Sequence, residues 1–147
     1  MKVRDIMSPT VDSIDARTTI SYAARRMADD DIGALPVLAD GKLAGIVTDR
    51  DITVRAVANA IPPGATIRRV MTEKVETCGP DDDVATTLAL MSREQIRRMP
   101  VCNAGGDVIG IISLADAAQH SPDRKDVTAT LADICEPRGQ HCQALVA

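Results

Sequence analysis

Two short segments of this 147-residue chain set a hydroxyl three residues ahead of a carboxylate, Thr48-Asp49-Arg50-Asp51 and Ser113-Leu114-Ala115-Asp116. Each follows an apolar run opened by glycine, Gly45-Ile46-Val47 and Gly110-Ile111-Ile112, the pattern of a strand running into a helix start. Free backbone N–H groups and the helix dipole favour phosphate at such a place, and the hydroxyl adds one more donor. A carboxylate one turn later can accept from both hydroxyls of a ribose. With no ligand at all, the same Ser/Thr-x-x-acid spacing is a helix-capping pattern. Gly45 leaves room for another backbone, or a ligand, to come close.

Other reactive side chains suggest less chemistry. The four cysteines, Cys78, Cys102, Cys135 and Cys142, contain no C-x-x-C pair, and the histidines are His120 and His141, so the usual zinc spacing is missing. They read as reduced thiols, with a metal site built across chains from Cys135, His141 and Cys142 as the rival to a frayed polar tail. No nucleophile stands in a recognisable catalytic setting, so neither enzymatic activity nor a catalytic metal or cofactor is expected. A net charge of −4 provides no field for a phosphate backbone, and one Tyr with no Phe or Trp provides no platform for stacking bases, which argues against nucleic acid. No apolar run approaches the roughly 18 residues that cross a bilayer, and Met1-Lys2-Val3-Arg4-Asp5 does not open a secretion signal. A cytoplasmic protein without a membrane partner is expected.

The elements that must position the two segments are themselves duplicated. Val3-Arg4-Asp5-Ile6-Met7 is echoed by Ile67-Arg68-Arg69-Val70-Met71, and Ile32 to Val37 by Ile96 to Val101, both at an offset of 64 residues. Gly45-Ile46-Val47-Thr48 matches Gly110-Ile111-Ile112-Ser113 at an offset of 65, the extra residue falling in the Gly105-Gly106 turn where insertions are tolerated. The repeats occupy 1–61 and 66–121, with Pro62-Pro63-Gly64 in a 62–65 linker and a helix and tail over 122–147. Within each, a short extended piece precedes an amphipathic helix, with Ile20, Ala23, Ala24 and Met27 on one stripe and Val84, Leu88 and Met91 on its counterpart. Thr18 or Thr19, and Asp81-Asp82-Asp83, stand where helix N-caps belong. Two β-runs follow, 34–38 and 43–48 around Asp40-Gly41, then 99–103 and 108–113 around Ala104 to Asp107. A second helix, 49–59 or 114–120, completes a β-α-β-β-α unit. At about 60 residues neither unit buries enough apolar surface to stand comfortably alone. A last helix over Lys125 to Cys135 presents Val127, Leu131 and Ile134 on one face until Glu136-Pro137 and Gly139 stop it.

The order Val-Arg-Asp-Ile-Met, amphipathic helix, Leu35-Pro36-Val37, Asp-Gly turn and Gly45-Ile46-Val47-Thr48-Asp49-Arg50-Asp51 resembles the CBS (cystathionine-β-synthase-type) domain family. The pair of units, from residue 3 to about 120, resembles the Bateman module. The resemblance implies an α+β fold, an α/β sandwich of two repeats packed sheet to sheet about a pseudo-two-fold axis. It implies two clefts across the repeat boundary, each able to hold an adenosine ligand. Thr48 and Asp51 would then face Val75, Ile96, Arg97, Arg98 and Met99, while Ser113 and Asp116 would face Asp12, Ile32, Gly33, Ala34 and Leu35. With almost no aromatics, the base would lie between aliphatic side chains and be identified by backbone hydrogen bonds. Gly33-Ala34 aligns with Arg97-Arg98, so guanidinium groups, Arg98 above all, would stand beside one cleft and suit it to phosphate. The implied function is an energy or ligand sensor in signal transduction that binds AMP, ADP, ATP or an adenosine-containing dinucleotide such as NAD. It would act as a homodimer on a regulated protein that the sequence does not name. The alternative is a purely structural dimerisation module with no ligand.

Overall fold

The computed structural model describes residues 1–9, 12–120 and 124–136. They fall into two compact units, one contiguous (Asp12–Val75) and one discontinuous, made of the described residues of 1–11 and 76–147. Helices and strands mix in both, so the class is α+β as expected.

In the contiguous unit, β1 (Ile14–Asp15) leads to α1 (Ile20–Asp29), β2 (Ala34–Ala39) and β3 (Lys42–Thr48). A helical stretch follows, as a turn of α-helix, α2 (Asp49–Asp51), a π-helical turn (Ile52–Ala56) and a 3-10 turn (Val57–Asn59). The sheet order is β1-β2-β3, with β1 parallel and β3 antiparallel to β2. Asp40 and Gly41 both have positive φ, 51° and 77°, which is what the two-residue turn between β2 and β3 requires. Thr19 caps α1 by accepting from the Tyr22 N–H at 3.2 Å. Ile20, Ala23 and Met27 are buried as their spacing predicts, but Ala24 is exposed. The buried stripe of α1 is narrower than expected, because this helix is covered on one side only.

The discontinuous unit repeats the plan with α3 (Val84–Glu94), β4 (Arg98–Cys102), β5 (Val108–Ser113) and α4 (Leu114–His120). Asp83 caps α3 through the Ala85 N–H. The loop between β4 and β5 is longer than its counterpart; the Asn103 side-chain oxygen accepts from the N–H groups of Gly105 and Asp107, each at 2.9 Å. The following α5 (Arg124–Ile134) lies on α3: Val127 and Ile134 join its core, Gln95 Nε2 donates to the Asp133 carbonyl at 2.9 Å, and Ser92 is hydrogen-bonded to the Asp133 carboxylate. The inward face differs from the expected one. Thr130 is buried, whereas Leu131 is 45% exposed, since α5 is rotated to seat Thr130 between Val127 and Ile134. The expected stop at Pro137 and Gly139, and the His141-Cys142 pair, lie outside the described residues.

The compact units are not the two contiguous sequence repeats. Each repeat's opening segment packs in the unit that holds the other repeat's hairpin. Ile67, Val70 and Met71 enter the core around Ile20, Leu35 and Val47, while Val3 and Ile6 enter the core around Leu88, Met99 and Ile112. The hydrogen bonds correspond pair by pair: Ile67 N–H donates to the Thr18 carbonyl at 2.8 Å, and Val3 N–H to the Asp82 carbonyl at 2.9 Å. Thr72 then bridges to Ile46 of β3, and Ser8 to Ile111 of β5.

Candidate functional site

The backbone of β3 delivers Thr48 to the start of α2. Thr48 Oγ1 accepts from the Asp51 N–H at 3.1 Å, and Asp51 Oδ2 accepts from the Thr48 N–H at 2.9 Å. This reciprocal pair satisfies two donors that a helix start leaves over. Asp51 is 7% exposed. Its other oxygen, Oδ1, stands 3.7 Å from Arg55 Nε, and Arg55 Nη1 donates to the Val70 carbonyl at 2.9 Å. At that distance Oδ1 keeps a countercharge while its lone pairs stay available. Arg55 was not singled out from the sequence, although its position four residues after Asp51 on a helix is the signal that finds such a pair.

The second copy repeats the arrangement with a difference. Ser113 N–H donates to Asp116 Oδ2 at 2.7 Å, Ser113 Oγ donates to the same oxygen at 2.6 Å, and Asp116 N–H donates back to Ser113 Oγ at 3.1 Å. The Thr48 hydroxyl hydrogen is not committed by its capping bond, whereas that of Ser113 is held by Asp116. Arg55 is replaced by His120, whose Nδ1 lies 3.0 Å from the Asp116 carbonyl rather than on the carboxylate.

The remaining candidate residues divide between the units. Gly33 and Ala34 run beside Thr48: Asp49 N–H donates to the Gly33 carbonyl at 3.1 Å, and Ala34 is the register partner of Thr48. Leu35 is fully buried, Ile32 packs against the same core, and Val75 is half-buried. Asp12 is paired with Arg26 Nη2 at 3.1 Å. In the discontinuous unit, Arg98 is the register partner of Ser113, and Leu114 N–H donates to the Arg97 carbonyl at 2.9 Å. Both arginines are exposed, Ile96 packs on the core, and Met99 is fully buried. The side chains of Leu35 and Met99 belong to the cores, so any ligand contact they make is through the backbone.

Gly45 and Gly110 admit backbone. A Cβ on Gly45 would lie 2.8 Å from the Thr72 carbonyl oxygen and 2.8 Å from Met71 Sδ; one on Gly110 would lie 2.7 Å from Met7 Sδ and 3.0 Å from the Ser8 carbonyl oxygen. The glycine and methionine of the repeat are therefore partners. Each methionine sits on the glycine of the other repeat.

A CBS-domain model matches residues 3–57 and again residues 67–123. The chain belongs to the CBS-domain family. Hypoxic response protein 1 of Mycobacterium tuberculosis is 34% identical over 136 residues, 91% of this chain and 94% of that protein. A crystal structure of Hypoxic Response Protein I with two coordinated zinc ions matches with TM-score 0.73 and 33% identity, over 82% of this chain and 98% of that one. The CBS domain protein TA0289 from Thermoplasma acidophilum matches with TM-score 0.82 and 27% identity, over 90% and 75% of the two chains. The CBS domain pair of protein MJ0100, solved with 5′-methylthioadenosine and S-adenosyl-L-methionine, matches with TM-score 0.75 and 31% identity, over 81% and 98%. In the CBS pair described here, no group of three or more His, Cys, Asp or Glu among the described residues is placed to hold a metal ion. No helix among them is long and apolar enough to cross a membrane.

Among the described residues of this CBS pair, Cys78 is buried, Cys102 half-buried and Cys135 exposed. Cys78 bridges to Val101 as Ile14 pairs with Val37, and it fills the core position that Ile14 fills in the other unit. Burial, with Asp82 nearby, pushes its thiol up to about 12. A thiol held neutral in this way is a poor nucleophile.

Proposed function

We propose that the chain is a regulatory module of the cytoplasm that binds adenine nucleotides or related adenosine ligands at its two Ser/Thr-x-x-Asp helix starts and catalyses no reaction. The observation that carries this reading is the repeated geometry of Thr48 with Asp51 and Ser113 with Asp116, each hydroxyl and carboxylate fixed at the end of a strand, in a family whose MJ0100 member was solved with two adenosine derivatives. Asp51 and Asp116 take the ribose hydroxyls, Thr48 and Ser113 lie toward phosphate or its substituent, and Gly33-Ala34 and Arg97-Arg98 run beside them. Thr48 has the freer hydroxyl hydrogen and a cation behind its carboxylate, so AMP, ADP or ATP fits it better than it fits Ser113. The module acts as a homodimer on a regulated protein, and the signal passes because the ligand prefers one of two shapes.

A second reading, a dimerisation module without ligand, is favoured by the completeness of both caps, which the chain's own hydroxyls and carboxylates close. Calorimetric titration with AMP, ATP, S-adenosylmethionine and methylthioadenosine decides between them. Saturable binding that is lost in the Asp51→Asn, Asp116→Asn double variant supports the sensor. No heat with any of the four ligands leaves the structural reading standing.

A further inference from the structure

We propose that Arg55 is a positioning residue for the Asp51 site and makes ligand binding there depend on how the opening segment of the second repeat, Ile67 to Thr72, is seated. This deepens the adenosine-ligand reading above and rests on it. The Arg55 guanidinium reaches both parts: Nη1 donates to the Val70 carbonyl at 2.9 Å, and Nε stands 3.7 Å from Asp51 Oδ1. Two partners on separate nitrogens need a planar fork, which Arg has and Lys lacks. Asp51 Oδ2 is already taken by the Thr48 N–H, so Oδ1 is the oxygen left for a ribose hydroxyl, and the guanidinium sets the charge beside it. Arg55 stands on the π-helical turn Ile52–Ala56, a local widening of the kind that concentrates at functional sites.

The anchor of Arg55 cannot shift alone. Val70 is fully buried, Met71 sits on Gly45, and Thr72 exchanges two hydrogen bonds with Ile46, at 2.8 and 2.9 Å. Ile46 lies on β3, two residues before Thr48. The opening segment therefore holds both arms of the site, the strand through Thr72 and the carboxylate through Val70 and Arg55. By linkage, a ligand that prefers one seating of this segment must in turn protect the segment. The other helix start is built differently: the matching position holds His120, whose Nδ1 lies 3.0 Å from the Asp116 carbonyl of its own helix.

The test uses the full chain carrying Asp116→Asn, so that the Asp51 site is read alone, with AMP and 2′-deoxy-AMP as probes. With Arg55 in place, AMP should bind about tenfold or more tighter than its 2′-deoxy analogue. Saturating AMP should also slow amide exchange over residues 70–72 several-fold more than over α1. Arg55→Met should bring the two affinities to within about threefold of each other and remove the extra protection. A general loss of stability would not narrow that ratio. Arg55→Lys, which keeps the charge without the fork, should recover part of the AMP affinity and none of the extra protection. No binding of either nucleotide with Arg55 in place overturns the nucleotide reading of this site and this proposal with it. Binding whose ratio is unchanged by Arg55→Met, or extra protection that survives Arg55→Met or Arg55→Lys, keeps that reading and overturns the role of Arg55.

Discussion

Met71 Sδ lies 2.8 Å from the point where a Cβ on Gly45 would stand, and the carbonyl oxygen of Thr72 lies equally close. Gly45→Ala should therefore destabilise the chain by about 1–3 kcal/mol through overpacking. Because one of the two obstacles is backbone, shortening Met71 should not restore the loss. Urea denaturation of Gly45→Ala, Met71→Ala and the double variant checks this. Recovery in the double variant would mean that Thr72 yields more readily than its pairing with Ile46 implies.

Capping and ligand binding by Asp51 are separable. Asp51→Asn keeps an oxygen for the Thr48 N–H, so its melting temperature should stay close to wild type, while the charge-assisted contact to ribose is lost at a cost of about 1.5–3 kcal/mol in affinity. Asp51→Ala should lose both, and it leaves Arg55 without its carboxylate. If Asn and Ala lower stability alike and neither alters binding, the carboxylate serves the helix alone.

Arg98→Ala should cost ATP more affinity than AMP if that exposed guanidinium reads phosphate, and the gap should shrink as salt rises. Equal losses for the two nucleotides, or none, would remove Arg98 from the site.

Cys78 has its pKa raised from 9.0 to about 12 by burial. A thiol that ionises near 9.0 when unfolded but near 12 when folded lends stability that is whole below about pH 9 and is lost as pH rises from 9 toward 12. Cys78→Val should flatten this alkaline limb, and in the wild type the exposed Cys135 should react with a thiol reagent long before Cys78. Early modification of Cys78 in the native protein would contradict its place in the core.

The duplication, the hairpins and the helix starts were legible because each rests on local spacing: Asp40-Gly41 for the turn, Thr19 and Asp83 for the caps, and the 64-residue echo for the repeat. The Thr48–Asp51 and Ser113–Asp116 pairs were legible for the same reason, and so was their capping role. What escaped depends on packing between distant segments. Nothing local in Ile67 to Met71 says that it lies in the core around Ile20, Leu35 and Val47, so spacing marks the repeats but not the compact units. Ala24 and Leu131 were placed on buried faces by periodicity, which gives the phase of a stripe but not its width. Arg55 stands four residues after Asp51, a local signal for their ion pair, but its second contact, the Val70 carbonyl, comes from an opening segment whose destination spacing does not give.

The exchange of opening segments gives synthesis a direction. Everything the contiguous unit needs has been made once Val75 has been added, so it can close while the rest of the chain is still being translated. Val3 and Ile6 have no such early home. The Asp82 carbonyl that accepts from the Val3 N–H and the Met99 and Ile112 of their core come later, so Val3 and Ile6 must wait with apolar side chains uncovered until the discontinuous unit is assembled around them. A nascent chain held just beyond Val75 would therefore be more vulnerable around Val3 and Ile6 than within the contiguous unit.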